Sequence, residues 1–369
     1  MAQSVLPDSR LASAGIASSD AAKRLALARM PDAELRRRIE AYLSSATNFP
    51  VHVSSLRRLP VGLSWTTVIF TADLPPGHAA AGELVLKLGP VLGLMAPYSS
   101  LPQALAATSF AGTTVPVPAV RWYDDDDSHL GGPFLISDRA EGEALNPFVR
   151  GYEAPNILHL PPLGEQFAQI LADIHRCEWS ELPIAKINQL AGNVDRPAIR
   201  ELHFWRQRAQ RWSLRPMPVL ELAGTWLEAN MPHNPHPCVV HGDYRVGNFL
   251  CTGTHITAML DWEMVHVGDH HEDLAWAFMP EFRLNGLVSH GDFLKRYATQ
   301  GGLPVSAESL RYYTVFCLYK LAVINLGAAW GFEQGSDDLR LACLGLTVSG
   351  YLDRLGQSLA KLIEDCHAS

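Results

Sequence analysis

Pro237-Cys238-Val239-Val240-His241-Gly242-Asp243-Tyr244-Arg245-Val246-Gly247-Asn248, with Asp261-Trp262-Glu263 a short distance on, carries more architectural information than any other part of this chain. The apolar run 237–240 reads as a strand that delivers a polar loop. Phe249 to Cys251, a turn at Thr252-Gly253-Thr254 and Ile256 to Leu260 read as a hairpin, which returns Asp261 to the side of Asn248. Two carboxylates and an amide thereby converge. That set is what phosphoryl transfer from ATP requires: one carboxylate accepts the proton of an attacking hydroxyl, and an amide oxygen and a second carboxylate hold Mg²⁺ against the phosphates. A His-Gly-Asp tripeptide also occurs in ordinary turns; it is the complete spacing between two apolar strands that carries the inference.

These residues, with Gly268-Asp269-His270-His271-Glu272-Asp273-Leu274-Ala275-Trp276, resemble the aminoglycoside phosphotransferase-like kinase family, in particular the branch that includes kinase domains acting on hydroxyacyl-CoA thioesters. The likeness runs from about Leu59 to about Trp276 and more loosely to the C-terminus. It implies an α+β, two-lobed protein-kinase-like fold, with an N-terminal antiparallel sheet lobe and a larger helical C-terminal lobe. It implies ATP and Mg²⁺ as cofactors, Asp243 as catalytic base, and Asn248 and Asp261 as Mg²⁺ ligands. It also implies His241 as structural support, and Asp273 as an anchor that hydrogen-bonds the catalytic loop without touching substrate.

The 369-residue length suits one bilobal unit with a sizeable core, and 47% apolar with 18% charged residues reads as globular. A net charge of -8 argues against a general nucleic-acid binder. The six cysteines show no Cys-x-x-Cys pair, which suits reduced thiols. No apolar run approaches the ~20 residues that span a bilayer, and Met1 to Asp20 lacks the pattern of a signal peptide. The expectation is a cytoplasmic protein with no membrane or nucleic-acid partner.

The chain divides into an N-terminal extension and helix (1–50), a nucleotide-binding lobe (51–140) and a catalytic and substrate-binding helical lobe (141–369). Residues 1–30 read as an extension, and Pro31-Asp32-Ala33-Glu34 opens a helix through about Ser44. Strand-like runs follow at Val51–Leu56, Thr66–Leu74, Glu83–Leu88, Ala119–Tyr123 and Phe134–Ile136. Asp124-Asp125-Asp126-Asp127 reads as a solvated hairpin tip, since consecutive carboxylates diverge and repel. Helical patterns cover Leu163 to His175, Ala198 to Arg211, Val219 to Ala229, Gly291–Thr299, Ala307–Leu326 and Asp337–Asp365. His175, at a helix end, reads as a packed or capping residue.

Gly62-Leu63-Ser64 lies between two strands and suits a phosphate-covering turn, where Gly62 lets the backbone approach and Ser64 donates to a phosphate oxygen. Lys87 ends an alternating strand, as a phosphate-pairing lysine does. A kinase fold then supplies a Glu to aim that lysine. This chain has no acidic residue between Glu83 and Asp124, and Gln103 stands at the expected place, able to accept one hydrogen bond without charge pairing. Gly132 to Gly142 looks like the family's lobe-connecting segment. By that resemblance the Asp138 carbonyl and the Ala140 N–H pair with adenine, with Ser137 behind them.

Balanced charge and many aromatics from Pro280 to Ser369 suit a neutral or partly apolar alcohol better than a polycation. Arg196, Arg200, Arg206, Arg208, Arg211 and Arg215 form a basic stretch that reads either as a solvated helix face or as a grip on an anionic acceptor such as a CoA thioester. Arg206 and Arg208 are the candidate contacts. His233, His236, His266, His270 and His271 fit no usual zinc spacing. The sequence thus points to an ATP- and Mg²⁺-dependent kinase acting on a small-molecule hydroxyl. The alternative is a nucleotide-binding pseudokinase, motivated by Gln103.

Overall fold

The computed structural model describes residues 30–145, 161–187 and 197–368, apart from Val61, Ala81, Val91 and Pro235. The expected extension over 1–30 therefore lies outside the described residues except for Met30, and so does Arg196. Strands β1 (Val53–Arg58), β2 (Thr66–Ala72), β3 (Glu83–Leu88), β4 (Val120–Asp124) and β5 (Phe134–Asp138) form one sheet in the order β1-β2-β3-β5-β4. Every neighbouring pair is antiparallel. In β3, alternation buries Leu84, Leu86 and Leu88 on one face and leaves Lys87 on the other. Helix α1 (Asp32–Thr47) presents Leu35, Ile39 and Leu43 at four-residue spacing to Val53, Val68, Phe70, Leu84 and Leu86, closing the first core.

The aspartate run is not simply a solvated tip. Asp125 accepts from Ser100 N and Oγ (both 2.7 Å) and Ser99 Oγ (2.6 Å), fastening the start of α2 (Leu101–Phe110). Asp126 accepts from Ser128 N at 2.9 Å and caps a one-turn helix, α3 (Asp127–Leu130). Unpaired amides at two helix starts attract carboxylates more strongly than the carboxylates repel one another.

The helical lobe contains α4 (Pro161–Arg176), α5 (Pro197–Trp212), α6 (Pro218–Ala229), α7 (His271–Ala277), α8 (His290–Thr299), α9 (Ala307–Glu333), α10 (Leu339–Gly345) and α11 (Val348–Ala368). The helix expected over 337–365 is thus two. The break falls where Gly345 packs against Ala329, so closely that a Cβ there would sit 2.9 Å from the Ala329 side chain. Thr347 then donates to Asn325 Oδ1 at 2.9 Å. Helix α9 is long and apolar enough to cross a membrane, but its most apolar window is 83% buried in the protein, as in a core helix.

Two short sheets build the centre. β6 (Glu143–Ala144) pairs with β8 (Phe249–Thr252), which forms a hairpin with β9 (His255–Met259), and β7 (Cys238–Val240) pairs with β10 (His266–Gly268). The hairpin matches the sequence expectation to within a residue. Leu260 N donates to Asn248 O at 2.8 Å, so the residues entering and leaving the hairpin are neighbours. Phe167, Tyr244, Phe249, Met259 and Trp262 pack beneath this platform.

Candidate active site

The 241–248 loop is held from three directions. Asp273, fully buried at the start of α7, accepts from His241 N (2.7 Å) and Gly242 N (2.9 Å), and His175 Nε2 donates to it at 3.2 Å. Burial opposes ionisation of Asp273, but His175 and the loop amides outweigh it and hold the carboxyl below its usual range. His241 Nε2 donates to Leu260 O (3.0 Å) while its Nδ1 accepts from Asp243 N (3.2 Å). This fixes a neutral tautomer, and burial pushes the imidazole pKa down in the same direction. From below, Lys320 of α9 donates to Gly242 O at 2.6 Å.

Gly242 itself has φ +82, and a Cβ there would meet Met264 O at 2.3 Å. Gly242→Ala combines left-handed backbone strain with that overlap, and a loss of about 2–4 kcal/mol in urea unfolding is expected. A loss below about 0.5 kcal/mol would mean that the loop relaxes freely.

Three donors aim the Asp243 carboxylate: Trp276 Nε1 (2.7 Å) and Arg245 Nε (2.9 Å) at Oδ1, and Asn248 Nδ2 (2.5 Å) at Oδ2. With Nδ2 committed to Asp243, Oδ1 of Asn248 is the atom left for a cation. Asp261 stands in the left-handed region (φ 61, ψ 52), a single-residue turn that redirects its side chain at the end of the hairpin. Its carboxylate contacts the Lys87 ammonium. Burial raises the Asp261 pKa, and Lys87 more than offsets this, so the net shift is downward. Lys87 also reaches Gln103 Oε1, at 3.4 Å. Asp243, Asn248 and Asp261 are therefore neighbours, as the spacing of the hairpin leads one to expect, and Lys87 joins them through Asp261. An amide oxygen and a carboxylate, with a lysine ammonium already against the latter, make a donor set that fits a hard cation such as Mg²⁺.

Other expected positions differ in their engagement. Ser64 Oγ donates to Glu263 Oε2 (2.7 Å), and Trp65 Nε1 donates to the same oxygen (2.8 Å). The Gly62 carbonyl accepts from Arg340 at 2.8 Å. The glycine turn is thus fastened to the helical lobe at two points, and the Ser64 hydroxyl is already used. Burial, then the adjacent Asp261 carboxylate, pushes Glu263 up to about 7. The Asp138 side chain pairs with Arg121 (2.5 and 2.8 Å), and Arg139 pairs with Glu83, which braces the segment before Ala140.

Arg206 and Arg208 do not act as a pair. Two residues apart on α5, they point to opposite sides. Arg206 is bonded to Glu228 (2.8 Å) and lines a cavity of about 550 Å³ with Gln210, Arg215, Met217 and Tyr319. Arg208 stacks on Phe204, 3.8 Å from the ring centroid, and burial pushes its guanidinium down to about 10. Among the histidines, Asp269, His270 and His271 do cluster. Three of their four ring nitrogens are hydrogen-bonded, however: His271 Nδ1 donates to Asp269 (2.6 Å), His271 Nε2 accepts from Ser306 N (2.9 Å), and His270 Nε2 donates to Pro304 O (2.9 Å), while His270 Nδ1 lies 3.5 Å from Asp269 Oδ1 without a hydrogen bond. His233 and His236 are exposed and stand apart from this group.

Sequence reasoning missed Trp276 and Lys320 as supports of the loop, and Glu263 and Arg340 as ties between lobes. None of these contacts has a local signature, since the bonded partners lie 33 to 278 residues apart.

Comparison with known proteins places this geometry in context. A model of the phosphotransferase enzyme family matches residues 57–308. Acyl-CoA dehydrogenase family member 10 of Mus musculus is 23% identical over 247 residues, which are 64% of this chain and 21% of that protein. The chain thus spans about a fifth of the length of that relative. A Ralstonia eutropha protein assigned to the aminoglycoside phosphotransferases is similar in structure, with a TM-score of 0.63 at 19% identity, covering 88% of this chain and 98% of that one. Aminoglycoside phosphotransferase APH(4)-Ia, in a complex with AMP-PNP and hygromycin B, has a TM-score of 0.58 at 19% identity and covers 87% and 99%. At these identities the two structures establish the two-lobed fold.

Proposed function

The chain belongs to the phosphotransferase enzyme family, and from that premise we propose that it is a kinase that moves the γ-phosphoryl group of ATP to a hydroxyl of a small molecule. The observation that carries this reading is the convergence of Asp243, Asn248, Asp261 and Lys87 at one point between the lobes. Asp243, aimed by Trp276, Arg245 and Asn248, orients the acceptor hydroxyl and takes its proton. Asn248 Oδ1 and Asp261 would hold Mg²⁺, which when bound neutralises charge building on the phosphates. Lys87 pairs with phosphate oxygens, and the Gly62–Ser64 turn covers them. The Asp138 carbonyl and Ala140 N–H take the adenine edge.

For the acceptor, we favour a hydroxyl on an anionic, CoA-linked acid over a polycationic aminoglycoside. Relatives named as acyl-CoA dehydrogenase family members support this, as does the basic α5. Because Arg206 and Arg208 face opposite ways, one substrate engages one of them. Comparing kcat/KM for matched free and CoA-linked hydroxy acids, with Arg206→Ala and Arg208→Ala, identifies which. Equal efficiency for both acceptors in all variants would remove the anionic acceptor and leave the kinase reading in place.

Melting with ATP tests the nucleotide step. A Mg²⁺-dependent rise in Tm is expected, with about 2.7 kcal/mol of added stability at a ligand concentration 100 times Kd. Asp261→Asn should keep less than half of the Mg²⁺-dependent part. The weak 3.4 Å contact of Lys87 with Gln103 favours one other reading, a nucleotide-binding pseudokinase. A Mg²⁺-dependent shift without transfer to any of a broad panel of alcohols would select it.

A further inference from the structure

Lys87 rests on a group that the proposed chemistry assigns to a cation. Its ammonium contacts the Asp261 carboxylate, while Gln103 Oε1 lies farther off at 3.4 Å. Gln103 is only 4% exposed, and its Nε2 has no partner. Helix α2 therefore brings a half-used neutral amide to the one place from which a carboxylate would compete for the lysine. Charge-assisted hydrogen bonds are about twice as strong as neutral ones. Between an amide oxygen and an ionised carboxylate, the ammonium settles on Asp261. The sequence offers it no other acidic residue from Leu84 to Tyr123.

We propose that Gln103 leaves Lys87 to occupy the cation position at Asp261, so that a divalent cation gains Asp261 only as nucleotide phosphates draw Lys87 away. This rests on the reading of Asp261 as a cation ligand. A cation that binds first must expel Lys87 toward a neutral amide in a part-buried site, and that cost lowers its affinity. A nucleotide supplies phosphate oxygens for Lys87 and lifts the cost. Nucleotide and cation then bind as a thermodynamically linked pair.

The test uses Mn²⁺ as probe, with affinity for the full chain read by titration calorimetry. Without nucleotide, Gln103→Glu should tighten Mn²⁺ binding about 5- to 20-fold by giving Lys87 another partner, and Lys87→Met should tighten it at least as much. A new carboxylate also attracts any cation through its field, so the deciding arm is the double variant. In a Lys87→Met background, Gln103→Glu should change the affinity by no more than about twofold. Equal gains in both backgrounds, or no gain from either single variant, overturn the proposal. Failure of the underlying reading would look different: Asp261→Asn would bind Mn²⁺ with ADP as tightly as the natural protein does. Circular dichroism on each variant confirms that the fold is retained.

Discussion

Asp243→Ala is expected to lower kcat by about 10²–10⁴, the range that a positioned general base contributes, while nucleotide still raises Tm. The separation follows from the contacts. Asp243 is held by Trp276, Arg245 and Asn248, and the groups proposed above to face the phosphates are others, Lys87 and the glycine turn. Truncation also has a structural cost. It leaves the buried Trp276 Nε1 without an acceptor and frees the Asn248 amide, so a loss of about 1–3 kcal/mol should accompany the activity loss. The ATP-dependent shift, measured relative to each variant's own Tm, separates the two effects. An alanine variant that keeps more than a few per cent of turnover would take Asp243 out of the base role. A variant that loses turnover and nucleotide binding together would point to collapse of the loop instead.

What could be read from sequence is local in origin. The hairpin was legible because apolar alternation and a Thr-Gly-Thr turn set its register, and that register alone returns Asp261 to Asn248. Lys87 was legible from the alternation of β3, and Gln103 from the absence of any acidic residue nearby. The contacts that fasten the lobes were not. Ser64 and Glu263 are 199 residues apart, and Arg340 and Gly62 are 278 apart; no spacing rule relates such positions. Asp125 is exposed between paired strands, as a solvated tip requires, but its hold on Ser100 was missed for a similar reason. Like-charge repulsion is visible in a run of four aspartates, whereas the orphan amide of Ser100 is visible only once α2 is placed. The arginines of α5 are a different case: helical period already implies that positions 206 and 208 diverge, and treating the stretch as one basic patch overlooked it.

The largest stability effect is expected at Lys320, in the middle of the long, largely buried helix α9. Its Nζ is bonded to Glu272 Oε1 (2.9 Å) and Gly242 O (2.6 Å) and lies 4.5 Å from the ring centroid of Trp276, with the side chain 1% exposed. Burial opposes the charge on Lys320, but Glu272 outweighs it and raises the ammonium pKa; Glu272 is in turn held well below the usual carboxylate range. Neither group belongs in an apolar interior by itself, so removing one exposes the desolvation cost of the other. Lys320→Met fills the space but leaves Glu272 with His266 Nε2, at 3.2 Å, as its remaining cationic partner. We expect a loss of about 3–5 kcal/mol in urea unfolding, the range for a broken buried pair. The double variant Lys320→Met with Glu272→Gln removes the stranded charge and should recover more than half of that loss. Turnover should stay low in both, because the Gly242 carbonyl loses its donor and the loop bearing Asp243 loses its brace from α9. A single variant within about 1 kcal/mol of the natural protein would mean that water reaches Glu272 and the pair is not a buried one.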